Sequence, residues 1–241
     1  MTPQITWAAK TDIGRVRSEN QDRWLARPED GLFAVADGMG GMRGGAEAAA
    51  TALATLEQEF ARNTPATPES WEALVRKVND RVWQRGLVVS PNGGIGTTLT
   101  LLHFTADGVT VVHVGDSACF LVRAGKLTQL TNDHTVAAEA ERRIARGLPA
   151  EPQPWAEHIL TRCIGQPFLD GIDVSAVTVQ PGDRFLLCTD GITKVLDDRT
   201  IASCLKSPAT PDETTNLLIA AALAAGAPDN ATGIAVFAGS A

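Results

Sequence analysis

The sequence predicts an α+β fold in which antiparallel sheets are covered by helices on their outer faces. Segments with strand-like and helix-like patterns come in runs along the chain and do not alternate strictly, which is typical of antiparallel sheets packed under helices. Apolar runs of strand length also lead to Asp37 and Asp190, each followed by a Gly, and Asp229 just precedes the last such run. We therefore expect three carboxylates to meet at strand ends.

The first part of the chain contains a strand followed by two helices. The strand is the apolar run within 33–41, which contains Asp37. Large apolar side chains recur at helical spacing over 45–60 and again over 70–86, which predicts two amphipathic helices. A segment rich in Thr and Pro at 63–68 separates these helices as a loop.

The middle of the chain contains three segments rich in Thr and Val, at 96–104, 109–116 and 118–130. Turns containing Gly at 106–108 and 124–126 interrupt the pattern. Short strands joined by tight turns are typical of neighbours in one sheet, so we predict an antiparallel meander.

In the last part of the chain, predicted helices and strands alternate more than in the rest. A short charged helix is predicted at 135–147, and the Pro-rich stretch that follows it contains Trp155, which we expect to anchor this stretch in the core. A strand is predicted within 185–191, a third helix around 217–225, and a final strand within 228–237.

Composition favours one domain over 1–241, since 44% of the residues are apolar and no linker divides the chain. The formal charge of −7 argues against nucleic-acid binding, which needs clustered Lys and Arg. The four cysteines lack metal-binding spacing, so we expect reduced, buried thiols and a cytoplasmic protein. The first residues do not resemble a signal peptide, and no apolar stretch reaches the roughly 18 residues of a membrane span.

The three aspartates point to divalent metal. A buried carboxylate must be paired, hydrogen-bonded or metal-bound, and three of them together need a cation. Mg²⁺ and Mn²⁺ prefer carboxylate, carbonyl and water oxygens, and a Gly at position 38 lets the backbone approach an ion closely. Taken alone, each Asp could instead be a turn former or a helix cap.

Seven motifs occur in order along the chain: RVRSENQD at 15–22, VADGMGG at 35–41, GTTLTLL at 96–102, HVGDSACFLVRAGKLTQLTNDHT at 113–135, LTRCIG at 160–165, CTDGI at 188–192 and PDNAT at 228–232. They resemble the motifs of the PP2C (PPM) family of metal-dependent serine/threonine protein phosphatases, in its bacterial stand-alone form. The resemblance covers nearly the whole chain. It implies a four-layer α/β/β/α sandwich with two central antiparallel sheets flanked by helices, and a site for two Mn²⁺ or Mg²⁺ ions in a cleft between the sheet edges.

The resemblance also implies metal ligands. Asp37 would bridge the two ions, the Gly38 carbonyl would bind one of them, and Asp190 and Asp229 would complete the other. A hydroxide bridging two metals would attack the phosphorus of phosphoserine or phosphothreonine in line, without a phosphoenzyme.

Two further residues match the first motif of the family. Arg17 would bind the substrate phosphate, since a planar guanidinium can hold two phosphate oxygens at once; the alternative is a surface Arg. Asp22 would accept hydrogen bonds from metal-bound water in the second coordination shell; the alternative is a surface Asp.

The chain departs from the family at two positions. Asp116 matches a carboxylate that binds a third metal in several members, but Lys194 stands where the second carboxylate of that site is usual, so the third site stays open. Met39 stands where eukaryotic members often have a proton-donating His. None of the four histidines matches that position, so the general acid is unassigned, with metal-bound water as a candidate. For Asp133 and His134, a structural role is favoured over a substrate-facing one.

The resemblance implies a phosphatase that opposes a bacterial serine/threonine kinase. Its partners would be phosphorylated proteins, including the kinase or its targets, and it would act as a monomer away from membranes and nucleic acid. In the family the interval at 135–159 forms a variable flap beside the active site. The alternatives are a catalytically weak phosphoprotein-binding scaffold and a phosphatase that controls a transcription-factor antagonist.

Overall fold

A computed structural model of the chain describes residues 4–39, 44–91, 94–207 and 209–239. Residues 40–43, the end of the Gly-rich run after Asp37, lie outside the described part. Within the described ranges there are ten strands and six α-helices. The strands are β1 (Ile5–Asp12), β2 (Asp22–Arg27), β3 (Leu32–Asp37), β4 (Leu99–Thr105), β5 (Gly108–Val114), β6 (Ala118–Arg123), β7 (Lys126–Gln129), β8 (Asp173–Val177), β9 (Arg184–Cys188) and β10 (Ala231–Ala238). The helices are α1 (Gly45–Arg62), α2 (Pro68–Val89), α3 (Val136–Ala145), α4 (Asp190–Thr193), α5 (Asp198–Lys206) and α6 (Pro211–Ala224).

The strands form two five-stranded sheets in which the paired strands are antiparallel. One sheet has the order β1-β10-β9-β6-β7, and the other has the order β2-β3-β4-β5-β8. Side chains from both sheets, including Phe33, Phe104 and Phe185, form a core between them. Helices α1 and α2 pack on the outer face of the second sheet, and α4, α5 and α6 on that of the first. The predicted four-layer α/β/β/α sandwich is confirmed.

The two predicted N-terminal helices are present and slightly longer than expected. Helix α2 begins with Pro68 in its first turn and a reciprocal capping box between Thr67 and Ser70, which satisfies backbone N–H groups that the helix leaves free. Helix α6 begins with the same kind of capping box between Thr210 and Glu213. Helices α4 and α5 were not predicted, because segments of four and nine residues show little periodicity.

The predicted meander is wrong in its pairing. Strands β4 and β5 pair in one sheet, and β6 and β7 pair in the other, so the chain crosses between the sheets at 115–117. Gly115 makes this crossing with a φ of +117°, a conformation that favours Gly, and an added Cβ would lie 2.6 Å from the Thr98 side chain. Alternation and turn residues identify strands but do not reveal which sheet a strand joins.

The flap interval contains the predicted helix α3, which Thr135 caps by accepting from the Ala138 N–H. Trp155, expected as the core anchor, is 74% exposed. Its neighbour Ala156 is fully buried, since the short 3₁₀ turn Pro154–Ala156 directs its smallest side chain inward.

The four cysteines are unpaired, as predicted; Cys204 is half-buried, and the other three are buried. Of the helices that the structure describes, none combines the length and apolar character needed to cross a membrane.

Candidate metal centre

Asp37 is the last residue of β3, a strand whose preceding five residues are all buried. Two residues just before β4 hold its backbone in place. Its N–H donates to the Thr98 hydroxyl at 2.9 Å, and its carbonyl accepts from the Thr97 hydroxyl at 2.8 Å. At Gly38 an added Cβ would lie 2.2 Å from the Gly45 carbonyl oxygen at the start of α1. Only Gly fits this approach, which fixes the turn after Asp37.

Asp22 lies behind Asp37 and joins the two sheets. It is paired with Asp37 in the β2–β3 register, and it is 3% exposed. Its Oδ2 accepts from the Thr189 hydroxyl at 2.8 Å and from the Thr232 hydroxyl at 2.6 Å, both in the opposite sheet region. Its Oδ1 has no hydrogen-bond partner among the described residues. Burial raises the pKa of Asp22 to about 6, although the two hydroxyls lower it.

Asp190 begins α4, directly after β9 and Thr189. One of its carboxyl oxygens accepts a hydrogen bond from the Lys194 ammonium one turn later, and the other is buried without a partner in the described structure. Lys194, at the usual place of a carboxylate of the third metal site, thus donates to Asp190 and not to Asp116. Asp116 still experiences its charge: burial and the Asp190 carboxylate raise the pKa of Asp116 to about 7, and Lys194 opposes this rise.

Asp229 lies just before β10 and is bound by Arg17. The guanidinium of Arg17 donates to its Oδ2 at 2.7 Å, and the Asn230 N–H donates to its Oδ1 at 2.8 Å. Arg17 is therefore in the site as expected, but its partner here is a carboxylate.

Asn230 is a positioning residue that the sequence did not identify. Its buried amide donates to the carbonyls of Ile13 and Glu19, at 2.9 and 3.0 Å, and accepts from the Gln21 N–H at 2.8 Å. It thereby fixes the N-terminal loop that carries Arg17. The only signal in the sequence was its position next to Asp229 in PDNAT.

A cavity of about 430 Å³ brings the predicted residues together. It lies where the ends of β3, β9 and β10 meet, and Asp22 lies behind its wall. Met39 and His158 also contribute to the lining, and the sequence had assigned no role to His158. The predicted residues in the lining are Arg17, Asp37, Gly38, Asp116, Asp190 and Asp229.

His134 lies outside this cavity and supports the turn that carries Asp116. It is buried; its Nδ1 accepts from the Gly115 N–H at 3.2 Å, and its Nε2 lies 3.3 Å from Asp173. Asp133 accepts from the Gln129 amide at 3.0 Å. The contacts of His134 agree with the structural role that the sequence favoured, whereas Asp133 also lines a groove next to the cavity.

The cavity residues fit a hard divalent cation. In the described part of the chain no group of three or more His, Cys, Asp or Glu side chains is already arranged to hold a metal. Arg17 and Lys194 instead neutralise two of the carboxylates. Burial, together with the charges of Asp22 and Asp190, raises the pKa of Asp37 well above its usual range. Buried carboxyls that repel one another and retain unpartnered oxygens are suited to an added cation.

Comparison with known proteins gives the family. Residues 14–218 match the family described as protein phosphatase 2C. The chain belongs to this family. Its fold and its ordered motifs are therefore those of a serine/threonine protein phosphatase domain, an enzyme class that depends on metal.

Similar proteins come from several bacteria. The chain is 34% identical to the serine/threonine protein phosphatase PstP of Mycobacterium tuberculosis over 96% of its own length, but it spans only 45% of that relative. It is 30% identical to the serine/threonine phosphatase Stp of Listeria monocytogenes, with 92% of each chain covered. The structure of the PPM phosphatase MsPP of Mycobacterium smegmatis superposes with a TM-score of 0.83 and 35% identity, covering 97% and 98% of the two chains. The catalytic domain of PstP, with a TM-score of 0.81, 31% identity and coverage of 98% and 99%, has been solved with two manganese ions.

Proposed function

We propose that this chain hydrolyses phosphoserine and phosphothreonine in proteins with the help of two Mn²⁺ or Mg²⁺ ions. The observation that carries the proposal is the cavity that gathers four aspartates from distant parts of the chain, with Arg17 beside them. The four aspartates are Asp37, Asp116, Asp190 and Asp229.

The proposed metal ligands are side-chain oxygens of Asp37, Asp190 and Asp229 and the carbonyl oxygen of Gly38. When bound, the two ions lower the pKa of water and stabilise the charge on the attacking and leaving oxygens of an in-line displacement at phosphorus. Before binding, Asp190 and Asp229 carry the counter-charges of Lys194 and Arg17. The second oxygen of Asp190 has no partner within the described part of the chain and can bind an ion directly, whereas Arg17 would move aside from Asp229 when that carboxylate becomes a ligand.

Arg17 is proposed to bind the phosphate of the substrate. Its side chain is 42% exposed, so it can turn from Asp229 toward a phosphate dianion without leaving a buried contact. A guanidinium keeps its charge and can hold two phosphate oxygens in one plane, which orients phosphorus toward the metal ligands.

Asp22 is proposed to orient water through the oxygen that has no partner. Its other oxygen is held by Thr189 and Thr232, so the carboxyl is fixed in one orientation. A fixed acceptor behind the metal ligands restricts the directions in which a neighbouring water can point its protons. Asp116 is proposed as a ligand of a third, more weakly bound ion. The positive charge of Lys194 would oppose binding of this ion.

The wider setting is also a proposal. We infer one phosphatase domain that acts as a monomer on phosphorylated proteins, opposing a bacterial serine/threonine kinase, with the 135–159 flap beside the site. The unpaired cysteines suit the reducing cytoplasm.

The test is hydrolysis of a phosphothreonine peptide with and without Mn²⁺. We expect release of phosphate that requires Mn²⁺, is abolished by EDTA and is not inhibited by okadaic acid. Release that persists in EDTA would contradict the proposed metal site. Binding of the peptide without turnover at any Mn²⁺ concentration would support the phosphoprotein-binding alternative.

A further inference from the structure

The cavity described above continues into a second, larger space. A groove of about 650 Å³ runs between the flap and the segment from α4 to α5. Asp116, Asp190 and His158 line both the cavity and the groove. These three residues mark the boundary between the two spaces.

This boundary is where the leaving oxygen of a phosphoprotein would lie. If the phosphate occupies the cavity beside Arg17, the polypeptide that carries it must occupy the space next to the cavity. The Ser or Thr oxygen joins these two parts of the substrate. A group that lines both spaces can therefore reach that oxygen.

His158 is the histidine at this boundary. The structure describes all four histidines, and the other three are buried elsewhere. His103 packs between the rings of Phe60 and Trp71, with ring centroids 5.1 and 5.4 Å away. The rings of His113 and His134 lie behind the turn that carries Asp116, with their centroids 4.7 Å apart and their planes tilted by 44°.

Asp116 and Asp190, which line both spaces, are proposed as metal ligands, so their carboxyls are not proton donors once ions are bound. Three other groups near the boundary are poorly suited to donate a proton to an alkoxide. Arg17 keeps its protons at any ordinary pH, and Met39 has none to give. Lys194 lines the groove but not the cavity, and its ammonium donates a hydrogen bond to Asp190. Imidazole is the side chain that most readily exchanges protons near neutral pH.

The backbone around His158 is fixed although its side chain is exposed. The Ile159 carbonyl accepts from the Val136 N–H at 2.9 Å, and the Thr161 N–H donates to the His134 carbonyl at 2.8 Å. Ala156, two residues earlier, is fully buried. The imidazole itself makes no hydrogen bond or ion pair with any described residue, so it is free to bind a substrate oxygen.

We propose that His158 is the general acid that protonates the leaving Ser or Thr oxygen, in place of the histidine whose position Met39 occupies. This inference rests on the proposed phosphatase activity. A water oxygen bonds to phosphorus while the bond from phosphorus to the Ser or Thr oxygen breaks, and the electron pair of that bond stays on the leaving oxygen. The imidazolium gives this oxygen a proton and the free alcohol leaves. The proton that the water loses restores the imidazolium, and the other product is hydrogen phosphate.

Two substrates with different leaving groups test the assignment. Protonation matters for the alkoxide of a phosphothreonine peptide and hardly at all for 4-nitrophenolate, which is a stable anion. For His158→Gln we expect kcat on the peptide to fall about 10²-fold and kcat on 4-nitrophenyl phosphate to stay within about twofold. Added imidazole should restore part of the activity on the peptide.

His158→Asn serves as a second variant of the same residue. The control is Glu151→Gln, an exposed change elsewhere in the flap, which should behave like the parent on both substrates. Thermal unfolding and Mn²⁺ titration should be unchanged in all three. Equal losses on the two substrates, or no loss on the peptide for either His158 variant, would overturn the assignment while leaving the phosphatase proposal intact. A parent protein that does not hydrolyse the peptide would overturn both.

Discussion

At the scale of single residues, each carboxylate of the candidate site has a different neighbour. Asp22 is held by two hydroxyls, Asp190 by Lys194 and Asp229 by Arg17. Asp37 lies among like charges, and burial is the largest cause of its raised pKa. Since these environments differ, substitutions should separate metal binding from substrate binding.

Asp37→Asn should lower turnover by about 10² or more at limiting Mn²⁺, because it removes one anionic charge from a site that must hold two divalent ions. The fold should survive, since Asn is similar in size and the backbone bonds to Thr97 and Thr98 remain. Phosphopeptide hydrolysis measures the first effect and circular dichroism the second. Asp107→Asn, an exposed turn residue, is the control. Turnover close to that of the parent would disprove the role of Asp37.

Arg17→Ala should lower kcat/KM for a phosphopeptide, mainly by raising KM, because a charge-assisted bond to phosphate is lost. The loss corresponds to about 1.5 to 3 kcal/mol of transition-state stabilisation. Mn²⁺ affinity should not fall, since the substitution frees Asp229 from its ion pair. Steady-state kinetics and calorimetric Mn²⁺ titration measure the two effects. Arg15→Ala, which removes a bond to the Leu223 carbonyl, is the matched control. Weaker Mn²⁺ binding with an unchanged KM would reverse the assignment.

Lys194→Met should strengthen Mn²⁺ binding by roughly three- to tenfold, because the ammonium no longer occupies Asp190 or repels an incoming cation. Met keeps most of the apolar stem of Lys, so packing changes little. The metal-free variant should melt at a lower temperature than the parent, since Asp190 loses its counter-charge. Calorimetric titration and thermal unfolding are the measurements. Unchanged Mn²⁺ affinity would mean that the ion pair does not compete with metal.

At the scale of elements, strands are easier to predict than their partners. The apolar runs correctly identified β3, β9 and β10, and helical spacing identified α1, α2 and α6. The same reasoning paired β5 with β6, although the two strands lie in different sheets. Strand identity depends on a local alternation of side chains, whereas pairing depends on which apolar faces must be buried together.

A contact between α2 and the LTRCIG motif also escaped the sequence pattern. Asn79 is buried in α2; its Oδ1 accepts from the N–H groups of Gly165 and Gln166 at 2.9 and 3.0 Å, and its Nδ2 donates to the Gln166 carbonyl at 2.9 Å. The side chain thus satisfies three backbone groups of a loop that lies outside the named strands and helices.

Asn79→Ala should therefore lower the free energy of unfolding by about 1 to 3 kcal/mol, because buried backbone groups lose their partners. Chemical denaturation measures the change. Gln84→Ala, which removes an exposed amide from the same helix, should leave stability nearly unchanged. If both variants unfold like the parent, the contact does not stabilise the loop.

At the scale of the whole molecule, the site and the sandwich depend on each other. Asp22 belongs to one sheet, and its hydrogen bonds go to Thr189 and to Thr232 of β10 in the other sheet region. Packing of the two sheets therefore buries the carboxyls, and the buried carboxyls oppose packing when they are charged. Stability should then depend on pH and on metal.

The carboxyls of Asp22 and Asp116 should lower the stability of the metal-free protein as the pH rises from about 4 to about 7. The pKa values of Asp22 and Asp116 are about 6 and about 7 in the folded state because of burial, against an ordinary value of 3.8. When folding raises the pKa of an acid, its stabilising contribution is complete below the ordinary value and disappears as the pH passes the folded value. Buried His113 acts in the opposite direction over the same range, because burial lowers its pKa to about 3 and the fold holds it neutral. Acids with lowered pKa values, such as Asp173 beside His134, act below this range.

Thermal unfolding in EDTA across this pH range measures the effect. Added Mn²⁺ should raise the melting temperature more at neutral pH than at acidic pH, because the ionised carboxyls bind it more tightly. Asp22→Asn should flatten the profile near pH 6. A profile for Asp22→Asn that runs parallel to that of the parent from acidic to neutral pH would contradict the prediction.

The sequence by itself determined the fold class, the positions of α1, α2, α3 and α6 and the identity of the aspartates, because alternation, helical spacing and short motifs are local properties of the chain. Only the tertiary structure showed that Arg17 binds Asp229, 212 positions away, and that His158 reaches the same cavity. It also separated β5 from β6 and directed Trp155 to the surface. These features depend on which distant surfaces become buried together, and no local pattern encodes the distance between two side chains on different elements.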